Sequence, residues 1–193
     1  TAAEGGAQPP RGGPVLVPVD PTPGLLRTYA QAAEALKAAG KDLAAVTVLR
    51  RVCDSPVFAG GPPESPKLDR LAELLATELR DEQVVCFTDY AEFAAMAVRR
   101  LAKFRPKVLD GSTPIPEREA LRRQFQAGTL RLLVMTAAGE RGMNLQAGSV
   151  VVNLDLPCVP FAADHAESNP PHGCSPCWES HHVRIARAAG RTC

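Results

Sequence analysis

The chain of 193 residues has no long hydrophobic run, although 45% of its residues are apolar. No segment approaches the roughly 20 consecutive apolar residues that a membrane-spanning helix requires. The opening stretch TAAEGGAQPPRGGP lacks the basic start and apolar centre of a secretory signal. We therefore expect a cytoplasmic protein with no membrane partner. The apolar fraction is still large enough for a sizeable core.

The chain also has little excess charge. Its formal net charge is +1, which excludes a protein that coats nucleic acid through bulk charge. Any such contact must come from a local cluster of basic residues, and two stretches qualify: Arg118, Arg122 and Arg123 on one predicted helix, and the basic residues within 99–107. A solvated helix face is an equally good interpretation of the second stretch. We expect Arg118 to tie its helix to the turn at Asp110.

A phosphate-binding loop of the form GxxxxGK[ST] is missing. Gly40 and Lys41 are followed by Asp42, and the earlier glycine of the motif is absent. Asp81 precedes a predicted strand instead of following one, so it does not serve as the metal-binding acid of an ATPase. The chain is therefore not expected to hydrolyse ATP alone.

Disulfides are not expected in a chain without a secretory signal, although it has six cysteines. Cys53 and Cys86 lie in apolar surroundings and are predicted core residues. The C-terminal stretch contains a possible zinc knuckle, formed by Cys174, Cys177, His182 and Cys193, whose last spacing is too long. We favour an unstructured Cys/His tail over a zinc site.

Composition and periodicity divide the chain into four parts. Residues 1–21 are a predicted flexible linker, residues 22–64 a helical segment, residues 65–157 an α/β domain, and residues 158–193 an irregular or divergent Cys/His-rich tail. The Gly/Pro-rich opening and the initial Thr1 suggest a fragment of a longer protein. A missing partner domain is therefore expected.

Strands alternate with helices in the α/β domain, which predicts a parallel sheet. Ser65 followed by Pro66 predicts a helix start, and Asp89 with Glu92 predicts a capping box. The predicted strands and helices after this start cover, in order, residues 84–88, 91–104, 107–110, 116–126, 130–136 and 150–155.

Four motifs occur in a specific order. They are ESPKLDRLAELL from Glu64, VVCFTDY from Val84, DGSTPIPERE from Asp110, and LLVMTAAGERGMNLQAGSVVVNLD from Leu132. Together they resemble the second motor lobe of superfamily-2 helicase-like ATPases and, more narrowly, of the Swi/Snf-like DNA translocases. The resemblance implies a RecA-like, P-loop NTPase-like α/β fold, a three-layer parallel sheet preceded by a helical brace.

The resemblance implies a double-stranded DNA partner, a cognate N-terminal motor lobe, and ATP with Mg²⁺ held between the lobes. It assigns DNA-backbone contacts to Thr88, Gly111, Ser112, Thr113 and Thr136. Amide and hydroxyl groups of this kind bind phosphates without reading bases. A capping turn is the competing interpretation of Ser112 and Thr113, and an ordinary strand-terminal hydroxyl that of Thr136. Nucleotide contacts fall on Gly139, Gly142 and Asn144, with loop bracing as the alternative for Asn144.

The family next carries Trp-Asn-Pro and then a helix with two arginines that reach the γ-phosphate of ATP. This sequence departs from the pattern, because Pro157 is followed by Cys158. Arg184 and Arg187 are the candidates for the catalytic arginines. Our hypothesis is that the tail is divergent or read from a shifted frame.

The predicted function is therefore the second motor lobe of an ATP-dependent double-stranded DNA translocase, inactive as an ATPase alone. Two alternatives stay open. One is a nucleic-acid-binding module organised by zinc in the tail, and the other is a noncatalytic interaction platform derived from a helicase lobe.

Overall fold

The computed structural model describes residues 15–40, 42–136, 147–155 and 182–187. These ranges contain six strands and five α-helices, with short 3-10 helices at Pro56–Ala59 and Ala102–Phe104. None of the helices described is both long and apolar enough to cross a membrane. In chain order the elements are β1 (Val15–Pro18), α1 (Pro23–Ala38), α2 (Asp42–Asp54), α3 (Pro66–Ala76), β2 (Val84–Thr88), α4 (Ala91–Arg100), β3 (Lys107–Leu109), α5 (Ile115–Gln126), β4 (Leu132–Thr136), β5 (Val150–Asn153) and β6 (His182–Arg187).

The six strands form one sheet in the order β1-β6-β5-β2-β4-β3. The four strands β5, β2, β4 and β3 are parallel to one another. Strand β6 is antiparallel to both β5 and β1. The predicted α/β class with a parallel sheet is therefore confirmed for these four strands, and two antiparallel strands extend the sheet at one side.

Those two strands also correct the predictions for the chain ends. Residues 1–21 were expected to be a flexible linker, but Val15–Pro18 forms β1. The tail over 158–193 was expected to be irregular, but His182–Arg187 forms β6. Both strands are short, and they pair across a long sequence separation, Val15 with Ile185. Local periodicity does not reveal a strand that depends on a distant partner.

Alternate side chains of the parallel strands enter two separate cores, which makes three layers. On one face Cys86 and Val134 pack with α3 and α4, for example against Phe93. On the other face Val85 packs with α5 through Phe125. Strands buried on both faces read as continuous apolar runs, which is why the sequence predicted them well.

The helical segment before the sheet is joined firmly to it. The Ser65 side chain caps α3 by accepting from the Leu68 amide at 3.4 Å. The same hydroxyl donates to the main-chain oxygen of Asp54 at 2.6 Å. The end of α2 is therefore bonded directly to the start of α3. We call residues 22–64, with α1, α2 and the first 3-10 helix, the brace.

Candidate functional site

The carboxyl ends of the four parallel strands meet at one edge of the sheet. Thr88 of β2 is in register with Thr136 of β4, and Leu109 of β3 pairs with Met135. Phe87 pairs with Asn153 of β5. The predicted DNA-contact residues of β2, β3 and β4 therefore lie along a single edge, which is where open α/β sheets bind their ligands.

The turn after β3 is closed by the side chain of Asp110. Its Oδ1 accepts from the Ser112 amide at 2.8 Å and from the Ser112 hydroxyl at 2.6 Å. The Asp110 amide in turn donates to Oγ1 of Thr113 at 3.0 Å. These bonds match the capping-turn interpretation of Ser112 and Thr113. We call residues 110–113 the Asp110 turn.

Arg118 holds this turn from α5, as predicted. Its Nε donates to the main-chain oxygen of Thr113 at 2.8 Å, and its Nη2 donates to that of Asp110 at 2.7 Å. A guanidinium can make both bonds at once because its donors are rigidly coplanar. Arg118 is therefore a structural residue of the turn, whereas Arg122 pairs with Glu119 on the surface of the same helix.

Asp110 is an anion at the exposed tip of the edge. Hydrogen bonds from Ser112, opposed by a small effect of burial, hold the pKa of its carboxyl below the ordinary value. Gly111 and Ser112 are exposed beside it. A phosphate that approaches this turn therefore meets a carboxylate that already uses the Ser112 hydroxyl.

Thr88 does not face solvent, which corrects its expected role as a DNA contact. Its side chain is buried, and Oγ1 donates to Oδ2 of Asp155 at 2.6 Å. The same Oδ2 accepts from the Asp89 amide at 2.7 Å. The Thr88 hydroxyl therefore joins the ends of β2 and β5, a structural role. Thr136 is also buried in this lobe, 5% exposed.

A buried charged cluster lies just behind these strand ends. Nζ of Lys67 lies 2.7 Å from Oδ1 of Asp54, 2.9 Å from the main-chain oxygen of Leu154 and 3.9 Å from Oδ1 of Asp155. The side chains of Lys67, Asp54 and Asp155 are only 6%, 0% and 5% exposed. The ammonium group of Lys67 is therefore the shared cationic partner of two buried carboxyl groups.

The charges of this cluster balance if one carboxyl keeps a proton. Burial raises the pKa of Asp54 well above its ordinary value despite the nearby Lys67. Burial also acts to raise the pKa of Asp155, but hydrogen bonds from Asp54, Thr88 and the Asp89 amide, with the Lys67 charge, lower it overall. Burial likewise opposes the charge of Lys67, but the two carboxyl groups raise its pKa.

Oδ2 of Asp54 is the natural place for that proton. It is buried, and no described residue donates a hydrogen bond to it. A proton there turns the atom into a donor toward Asp155, while Oδ1 still accepts from Lys67. The cluster then contains one cation and one anion, which avoids an unpaired buried charge.

Two further ion pairs connect the brace to the same edge. Arg50 contacts Asp89 at 2.8 Å, and Arg51 contacts Glu92. The predicted capping box of Asp89 and Glu92 is therefore wrong, because α4 begins after Tyr90 without a side-chain cap. The acidic side chains bind the brace instead.

Residues 66–192 match the family described as the helicase conserved C-terminal domain. The chain belongs to this family. Among curated relatives, eukaryotic initiation factor 4A-3 of Nicotiana plumbaginifolia is 32% identical over 101 residues, which are 52% of this chain and 26% of that protein. Eukaryotic initiation factor 4A-III homolog B of Oryza sativa is 31% identical over 102 residues, 52% of this chain and 25% of that protein. The chain thus spans about a quarter of these relatives.

Solved structures show the same fold. The C-terminal domain of the Sulfolobus solfataricus SWI2/SNF2 ATPase superposes with a TM-score of 0.59 at 20% identity, covering 70% of this chain and 68% of that one. The ATPase core of Sulfolobus solfataricus in complex with double-stranded DNA gives 0.60 at 21% identity, covering 70% and 33%. The predicted RecA-like fold of a helicase C-terminal lobe is confirmed.

The helicase lobe places its candidate catalytic arginines on a strand instead of a helix. Arg184 pairs with Asn153, level with the carboxyl end of β5, whereas Arg187 pairs with Val150 at the opposite end. Three residues along a strand span about 10 Å. The expectation that both arginines act together on one phosphate is therefore not supported by this geometry.

Several predicted residues of the lobe lie outside the described ranges. They are the nucleotide-side residues Gly139, Gly142 and Asn144, the tail cysteines Cys174, Cys177 and Cys193, and the side chain of His182. Within the part of the chain that the structure describes, no group of three His, Cys, Asp or Glu side chains is arranged around a possible metal. The possible zinc knuckle, which we considered less favourable than a tail without metal, stays untested.

Lys67 is the site residue that sequence reasoning missed, although the sequence contains a signal for it. Lys67 lies four and seven positions before Leu71 and Leu74, so it continues the buried stripe of α3. A lysine in register with such a stripe must be paired if it is to be buried. Its partners Asp54 and Asp155 have no local relation to it.

Proposed function

We propose that this chain is the second motor lobe of an ATP-dependent double-stranded DNA translocase related to the Swi/Snf-like proteins. The ordered motifs of the sequence support this narrower assignment within the helicase family. The similar SWI2/SNF2 core, which was solved with double-stranded DNA, supports the choice of partner. The whole protein, with its first lobe, would be the active enzyme.

The observation that carries this proposal is the position of the Asp110 turn beside the end of β4 at the carboxyl edge of the sheet. Strands β3 and β4 are neighbours there, so the Asp110 turn follows directly beside Thr136. Gly111 and Ser112 are exposed in this turn, so a sugar–phosphate backbone can approach its main chain closely. Binding would then be independent of base sequence.

ATP with Mg²⁺ would act between this lobe and the first, and its hydrolysis supplies the free energy for movement. The resemblance assigns this lobe's nucleotide contacts to Gly139, Gly142 and Asn144. The described residues contribute positioning: they hold the strand ends and loops against which a closing first lobe would work. Closure and reopening would move the edge along one DNA strand.

Measurement of ATP hydrolysis by the whole two-lobed protein tests the proposal. We expect double-stranded DNA to stimulate hydrolysis more strongly than single-stranded DNA or RNA of the same length, and sequence changes in the DNA to have no effect. A rate that is unchanged by double-stranded DNA would reject the translocase. Stimulation by RNA alone would redirect the assignment to an RNA-dependent motor.

A noncatalytic interaction platform is the second candidate, because Arg184 and Arg187 pair with opposite ends of β5. A lobe without a functional arginine pair would bind its partners but not support turnover. The same measurement separates the two functions. A folded protein that binds nucleotide and DNA but hydrolyses no ATP would favour the platform.

A further inference from the structure

We propose that Lys67 is a positioning residue that couples the brace to the DNA-facing edge of the sheet. The inference rests on the proposed function, since it assumes that this edge contacts DNA. Its basis is a closed ring of side-chain and main-chain contacts that begins and ends on α2.

The ring runs from the brace to the edge and back. On one side, Lys67 joins Asp54 at the end of α2 to Leu154 and Asp155, which directly follow β5. Asp155 then binds both the Thr88 hydroxyl and the Asp89 amide at the end of β2. These contacts form one continuous chain of hydrogen bonds, with the 3.9 Å ion pair between Lys67 and Asp155 as its longest contact.

The other side of the ring closes over the surface. Asp89 binds Arg50, which lies one helical turn before Asp54 on α2. Helix α2 is therefore connected to the ends of β2 and β5 by two routes, and its exposed Arg51–Glu92 pair adds a contact to the start of α4. A rotation of α2 relative to the sheet has to break one of these routes or carry the strand ends with it.

The two routes differ in strength. The Asp89 side chain is 51% exposed, so its pair with Arg50 is screened by water and contributes little. The Lys67 route is buried, and an ammonium group removed from it leaves carboxyl groups without their counter-charge. Lys67 is therefore the contact that makes the connection rigid.

This arrangement gives the brace a way to affect DNA binding. The end of α2 moves with the brace, because α2 is part of it. The strand ends next to Lys67 are neighbours of the strand ends at the Asp110 turn and Thr136. Nucleotide-driven movement of the lobes would reach the DNA contacts through this ring. Coupling through a rigid, two-route connection is a physical link between sites, not mere proximity.

The test uses the whole two-lobed protein and measures DNA affinity with and without a non-hydrolysable ATP analogue. The ratio of the two dissociation constants is the coupling between the sites. We expect a ratio of at least about fivefold in the unmodified protein, the lower end of typical site-to-site coupling. In Lys67→Met we expect the ratio to fall close to one, with DNA affinity in the absence of nucleotide unchanged.

Arg70→Met is the matched control. Arg70 lies on α3, one turn beyond the cluster, and pairs with exposed Glu73. It should keep the full ratio. A folded Lys67→Met protein that also keeps the full ratio would overturn the positioning role, because a purely structural residue alters the folded fraction but not the coupling.

A second variant keeps the inference testable if Lys67→Met does not fold. Asp155→Asn combined with Lys67→Met removes the buried cation together with the ionised carboxyl group of the cluster. Loss of the ratio in this folded double variant supports the proposal, and a full ratio overturns it. If the unmodified protein binds DNA with a ratio of one, the inference fails while the proposed DNA partner stands; if it binds no DNA, the proposed function itself fails.

Discussion

Nζ of Lys67 lies 2.7 Å from Oδ1 of Asp54, and both side chains are buried between α2, α3 and the carboxyl edge of the sheet. The pair is the least exposed of the ion pairs found among the described residues. Its removal and its titration should therefore be measurable in ways that surface pairs are not.

Lys67→Met should lower the free energy of unfolding by about 3–5 kcal/mol, because it leaves two buried carboxyl groups without their cationic partner. Arg70→Met on the same helix should cost less than about 1 kcal/mol, since the Arg70–Glu73 pair is exposed. Thermal and denaturant unfolding of both variants would compare them. Equal losses would mean that Lys67 is not held as a buried cation.

Asp54→Asn should change how stability depends on pH. Because the pKa of Asp54 is raised above 3.8 by burial, its contribution to stability is complete below that pH and is lost as pH rises through the folded value. An asparagine does not titrate. The free energy of unfolding of the variant should therefore increase relative to that of the unmodified protein as pH rises.

Denaturant unfolding at a series of pH values from about 4 to about 8 would measure this difference. Asp155 has the opposite sign, since its pKa is lowered and its contribution is lost as the solution becomes acidic. Both proteins retain Asp155, so its contribution largely cancels in the comparison. If the free energies of unfolding of the two proteins change with pH in the same way, Asp54 does not carry the proton.

Asp110→Asn should strengthen binding of double-stranded DNA by about twofold to fourfold, the size of one unit charge acting through water at several ångströms. Asparagine keeps the acceptor oxygen used by Ser112 while it removes the charge. Asp81→Asn makes the same charge change before β2, at the other end of the sheet. An identical gain in both variants would show an effect of net charge and not of the turn.

Arg118→Lys should loosen the Asp110 turn, because lysine cannot make the two bonds to the oxygens of Asp110 and Thr113 in the same geometry. We expect a stability loss of about 1–2 kcal/mol and weaker DNA binding. Arg122→Lys, which changes only a surface pair with Glu119, is the control. Unfolding and DNA titration would measure both; unchanged DNA affinity in folded Arg118→Lys would separate the turn from the DNA contact.

Thr88→Val should destabilise the lobe by about 1.5–3 kcal/mol, since it removes a buried hydrogen bond to the charged Asp155. Thr129→Val removes an exposed bond to the Gln124 oxygen and should cost less. We expect neither substitution to change DNA affinity in the folded protein. A specific loss of DNA binding in Thr88→Val would restore Thr88 as a DNA contact.

The central elements were predictable because their signals are local. Strand β2 was predicted with its observed bounds, and the helix start at Ser65 follows from a cap and a proline in adjacent positions. The sequence also predicted that the strand ends lie on one edge, because parallel strands run in the same direction. The short strands β1 and β6 were not predicted, because each forms only by pairing with residues far away in the chain.

The contacts of the candidate site were likewise predictable only where they join residues close in sequence. Arg118 was predicted to hold the Asp110 turn because the two residues are neighbours across one loop. The Lys67 cluster was not predicted, since its contacts to Asp54 and Leu154 join residues 13 and 87 positions apart. Thr88 was assigned to the DNA backbone by the resemblance, and the sequence does not show whether a hydroxyl at the end of a strand contacts DNA or a buried carboxylate.

Side-chain periodicity, caps and turn residues were sufficient to establish an alternating α/β chain with polar residues at its strand ends, because these preferences act over a few neighbouring positions. The antiparallel extension of the sheet, the burial of Thr88 and the pairing of one lysine with two carboxyl groups emerged only on folding. Burial gives charges and hydroxyls their partners, and burial depends on contacts between segments that no short window contains.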